Sequence, residues 1–106
     1  MNPVYDSAYY EDLAGRLYGL AIRFSNRLPP DQTQWLHHVT EVGEYGLALE
    51  DLAAMIPYDK IAASDEERGD IESLARQMGM DLGSTWENYF LKCRNDQGPS
   101  APGCPA

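Results

Sequence analysis

The sequence predicts an all-α protein, a single compact domain of four to five helices arranged as an antiparallel bundle. Three observations carry this expectation. Apolar residues recur at three- and four-residue steps through each foldable segment, no segment alternates with a period of two, and Gly and Pro fall where helices should stop.

The first helix starts at Asp6 or Ser7, either of which serves as an N-cap. Glu11 and Asp12 lie in or near its first turn, where the helix dipole favours negative charge. Tyr9, Leu13, Leu17, Leu20 and Phe24 form one stripe, with Arg16, Arg23 and Arg27 off it. Gly15 and Gly19 each lower helix propensity by about 1 kcal/mol, and their four-residue spacing suits close helix packing instead. Pro29-Pro30 ends the element, because proline cannot continue a helix.

Asp31 is the expected N-cap of a second helix, whose apolar face is Trp35, Leu36, Val39 and Val42, stopping at Gly43. A third helix places Tyr45, Leu49, Leu52, Ala53 and Ile56 at helical spacing, and Pro57 closes it. The tight turn between these two predicts an antiparallel pair. Ser64-Asp65-Glu66-Glu67 reads as a capping box that starts a fourth helix, with Ile71, Leu74, Ala75 and Met78 inward and Gly79 at the end. A fifth runs from Ser84 to about Leu91, with Trp86, Tyr89 and Phe90 inward. The domain therefore covers residues 1–94, and residues 95–106 form a Pro- and Gly-containing tail.

The chain has 106 residues, enough for one core, which buries about 65% of the surface an unfolded chain of this size exposes. Lys and Arg total 8 against 17 Asp and Glu, a net charge of −9. That balance argues against a nucleic-acid partner, since phosphate affinity comes mostly from cationic side chains, and against an anionic membrane surface. It leaves a basic protein partner open. No basic N-terminal region precedes an apolar run and no apolar stretch reaches 18 residues, so a cytoplasmic location is expected. Cys93 and Cys104 fit no metal or redox spacing. A bridge between them would close a short loop, which a reducing compartment disfavours.

Enzymatic motifs are absent. There is no phosphate-cradling glycine loop, no HExxH, and no base placed in sequence to activate Cys93. His37 and His38 are adjacent, about 100° apart on a helix, so they do not share one metal; one exposed and one edge-packed imidazole is expected. Carboxylates are numerous enough for glycosidic or di-metal chemistry in principle, but no paired Glu-x-x-His repeat supports a metal bundle. The reading is a protein without enzymatic activity, cofactor or metal. Its acids serve as solvated surface or as a face for a basic protein.

One ordered set of signals points further. A helix ending in Val39 and Val42 is followed by a Gly43-Glu44 turn and then Leu47-Ala48-Leu49-Glu50 with Leu52. An acidic capping box with Glu67 follows, then Ile71, Leu74, Ala75, Met78 and Gly79. Across the middle half of the chain this order resembles the MafI-type immunity proteins, small helical antidotes encoded beside secreted polymorphic toxins. The resemblance implies a bacterial protein that binds a cognate toxin domain and occludes its active site, and the net charge of −9 makes a nuclease or another enzyme acting on a polyanion the natural expectation for that toxin. The candidate contact residues are Glu41, Glu44, Tyr45, Asp51, Tyr58 and Asp59, carboxylates interleaved with aromatic rings. Glu44 and Glu50 alternatively organise the helix turn. The other reading is a small helical adaptor that binds a partner without inhibiting it. The oligomeric state stays open, with a monomer the simpler expectation.

Overall fold

The structure, a computed structural model, describes residues 7–92. The Asp6 cap, the tail from residue 95 and the Cys93–Cys104 pairing lie outside the described residues. Five helices follow in order: α1 (Ser7–Phe24), α2 (Pro30–Glu41), α3 (Tyr45–Tyr58), α4 (Asp65–Gln77) and α5 (Gly83–Lys92). No strand occurs among the described residues, so the protein is all-α, as its periodicity predicts. Two compact units divide inside α3, one running to Ala48 and the other starting at Leu49.

In the first unit α1 packs on α2. The predicted stripe of α1 is the buried one, Leu13, Leu17, Leu20 and Phe24, joined by Ala21, while Tyr9 is half-buried. Gly15 and Gly19 do not serve close packing: both are exposed, and a Cβ built on either meets nothing within 4 Å. α1 also stops at Phe24, five residues before Pro29. Its last carbonyls find partners there, Ile22 O accepting from Ser25 Oγ (2.7 Å) and Phe24 O from the Leu28 amide (3.0 Å).

The two prolines instead open α2. Pro29 is the N-cap residue and Pro30 the first helical one, a position where the missing N–H costs nothing. Asp31 consequently falls in the first turn rather than at the cap. The buried arc of α2 is Leu36, Val39 and Thr40, whose hydroxyl donates to Leu36 O at 2.7 Å. Trp35 and Val42, expected inward, are 44% and 58% exposed, because each lies outside the arc set by those three.

The second unit is built on Leu49, Leu52, Ala53 and Ile56 of α3, Ile71, Leu74 and Ala75 of α4, and Trp86 and Phe90 of α5. Both bonds of the capping box form: the Glu67 amide donates to Ser64 Oγ (3.1 Å) and the Ser64 amide to Glu67 Oε1 (3.0 Å). Across to α5, Trp86 Nε1 donates to Glu72 Oε2 at 2.9 Å, and the Arg68 guanidinium lies 4.9 Å from the Phe90 ring centre. Tyr89 is half-buried, its hydroxyl donating to Ile61 O at 2.8 Å. Met78, expected inward, is likewise half-buried.

Helices α2, α3 and α4 end alike. A residue with positive φ is followed by one whose amide reaches five residues back: Glu44 to Val39 O, Ile61 to Ile56 O, Met80 to Ala75 O, all at 2.8–2.9 Å. Gly43 and Gly79 supply the left-handed turn for α2 and α4, whereas α3 uses Lys60 at φ 54 and runs one residue past Pro57.

Candidate functional site

The six candidate contact residues are divided between the two units. Glu41, Glu44 and Tyr45 belong to the first; Asp51, Tyr58 and Asp59 to the second. Glu41 and Glu44 are exposed at the α2–α3 turn, where Glu44 uses its backbone structurally: its carbonyl accepts the Ala48 amide at 3.0 Å. The neighbouring Tyr45 ring is half-buried and stacks on Tyr10, with centroids 6.1 Å apart and planes 24° apart. Tyr10 in turn meets Tyr9 edge-on at 5.2 Å. Asp51 is half-buried and holds interactions of its own.

Tyr58 stands apart from these. At the last residue of α3 it is 85% exposed, the most exposed large hydrophobic side chain among the described residues, and Asp59 beside it is exposed as well. Helical spacing explains what lies behind it: Glu50, Ala54, Pro57 and Tyr58 fall on one stripe of α3. That stripe forms one wall of an open groove of about 410 Å³. The opposite wall is Met80, Asp81 and Leu82 from the α4–α5 link, with Thr85 and Trp86 from α5. Among the described residues its lining is apolar except for Thr85, the Tyr58 hydroxyl, the Trp86 indole N–H and two carboxylates, Glu50 and Asp81, with no Lys or Arg. The link is held by the Asp81 carboxylate, which accepts the Gly83 amide at 2.9 Å as α5 begins.

A second groove of about 500 Å³ shares Met80, Asp81, Leu82 and Trp86 with the first but has a different character. Its charges are of both signs and partly committed to one another: Arg68 Nε donates to Glu72 Oε2 at 3.0 Å, on the same oxygen that Trp86 reaches. Burial pushes the Glu72 carboxyl up. The hydrogen bonds from Trp86 and Arg68 and the charges of Arg68 and Arg76 outweigh it, leaving the group below its ordinary value. This arrangement braces α4 against α5.

The remaining chemistry is sparse. His37 is half-buried with its ring 5.6 Å from Tyr18, and His38 is exposed, 6.0 Å from Trp35. Among the described residues no three His, Cys, Asp or Glu side chains gather to hold a metal, and no helix is long and apolar enough to cross a membrane. Asp81, central to the acidic groove, escaped the sequence reading; the sequence places Trp86 inward on α5, where it lies, but not as part of a groove. The signal available was the short Met80–Leu82 link set between Gly79 and Gly83. Comparison of the chain with family models, curated proteins and solved structures finds no match.

Proposed function

We propose that this protein is a non-enzymatic inhibitor, an immunity protein of the MafI type that binds a cognate toxin domain and covers a basic catalytic cleft. The observation that carries the reading is Tyr58, 85% exposed at the edge of a groove whose charged lining, among the described residues, is carboxylate alone. An aromatic ring held in water by a folded helix stabilises nothing in the free protein, but supplies desolvated contact area to a partner. The net charge of −9 supports the same partner class, since it accelerates encounter with a cationic surface. In this reading Tyr58 anchors and Asp59 steers, and the toxin's substrate, a polyanion, is excluded from its cleft.

The test is growth rescue. Co-expression with the toxin domain encoded beside this chain should restore growth, and Tyr58→Ala should weaken protection while leaving the melting curve in place. A neighbouring frame without a toxin, or a toxin whose action is untouched by this protein, overturns the reading. An adaptor would bind that neighbour without changing its activity.

A further inference from the structure

We infer that the groove between α3 and α5 seats a cationic, leucine-like segment of the partner protein: one Lys or Arg between Glu50 and Asp81, and one aliphatic side chain on the apolar lining. This rests on reading the protein as a partner-binding inhibitor, and adds where the partner inserts and what chemistry it brings. The groove is wide enough for two side chains, at about 410 Å³. Its floor residues Ala53 and Trp86 are buried, at 5% and 2% exposure, so the base of the groove is set by packed core atoms. Small side chains at Ala53 and Ala54 open the α3 wall, and Met80 and Leu82 face them from the link.

The charge pattern selects the occupant. Two carboxylates, with no lining cation among the described residues, repel an acidic or phosphorylated segment. An apolar segment without charge would take water from both carboxylates and return no cation, a cost that the single Gly83 amide held by Asp81 offsets only in part. A Lys or Arg satisfies them, and the exposed Tyr58 ring at the rim offers its face to the same cation. A second copy of this chain fits poorly, since each copy carries −9.

NMR titration of the full chain with the peptide acetyl-Leu-Arg-Leu-Arg-Leu-amide tests the assignment directly. Amide shifts should cluster at Ala54, Tyr58, the 80–82 link and Thr85, and saturate. The Glu-for-Arg peptide should leave them unmoved, and the Ser-for-Leu peptide should bind at least about tenfold more weakly. Glu50→Gln with Asp81→Asn should also weaken binding at least about tenfold; Asn retains the acceptor that Gly83 uses, so the melting curve should hold. Glu66→Gln with Asp70→Asn, exposed on α4 and outside the groove, should change nothing. No shift up to millimolar peptide, shifts centred on Trp35 and His38, or equal losses from both variant pairs overturns the assignment. Growth rescue separates the two levels. Groove variants that still protect against the toxin as well as the parent defeat this inference and leave the inhibitor reading standing. Peptide seated in the groove with no toxin neutralised does the reverse.

Discussion

Glu72 is a half-buried carboxylate of α4. Trp86 and Arg68 both donate to its Oε2, at 2.9 and 3.0 Å, and its carboxyl is held below its ordinary value. A lowered folded pKa contributes stability that is complete above the usual carboxylate range and disappears as pH falls through the lowered value. Glu72→Gln should therefore cost about 1–3 kcal/mol near neutral pH, in the range of hydrogen bonds to charged groups. The gap from the parent should narrow below about pH 4, read by urea unfolding at the two pH values. Lys60 gives the opposite sign. Its backbone sits at φ 54, where a Cβ is unfavourable, so Lys60→Gly should gain up to about 1 kcal/mol and raise the melting temperature by a few degrees. Trp35→Ala, which a core placement would make ruinous, should cost under about 1 kcal/mol, because the ring is 44% exposed.

Helix ends were legible in the sequence at three chemical signals. The Ser64–Glu67 box and the glycines at 43 and 79 each act through local backbone geometry, and each appears as read. Ser64→Ala should cost about 1 kcal/mol in thermal unfolding for that reason. The readings that failed needed tertiary knowledge. Which flank of α2 turns inward depends on where α1 lies, so Trp35 and Leu36, adjacent in sequence, could not be separated by hydrophobicity. Gly15 and Gly19 invited a packing role, yet both face open space. Each Gly→Ala change should accordingly stabilise α1 by up to about 1 kcal/mol, measured by chemical denaturation. The prolines at 29 and 30 serve the start of α2 rather than the end of α1, since a residue without an N–H fits a first turn that has no use for one.

At the scale of the whole molecule, charge and exposed aromatic surface carry the functional account. Part of the candidate surface was readable in advance, because Tyr58 and Asp59 follow a proline that ends an apolar stripe. The groove behind them was not. It arises from α3 and the α4–α5 link, some 25 residues apart in sequence, and no local pattern of Glu50 or Asp81 announces their shared cavity. Binding driven by this acidic surface should weaken steeply between low and high salt, as screened long-range attraction requires. The most direct test is calorimetry of the full chain against the toxin domain proposed as its partner, comparing Tyr58→Ala with Asp59→Lys against Glu66→Lys with Asp70→Lys. The account predicts 1:1 binding by the parent, a loss of at least about tenfold, or 1.4 kcal/mol, for the first pair, and a smaller loss for the second. Equal losses from both pairs, or no binding by the parent, would contradict it.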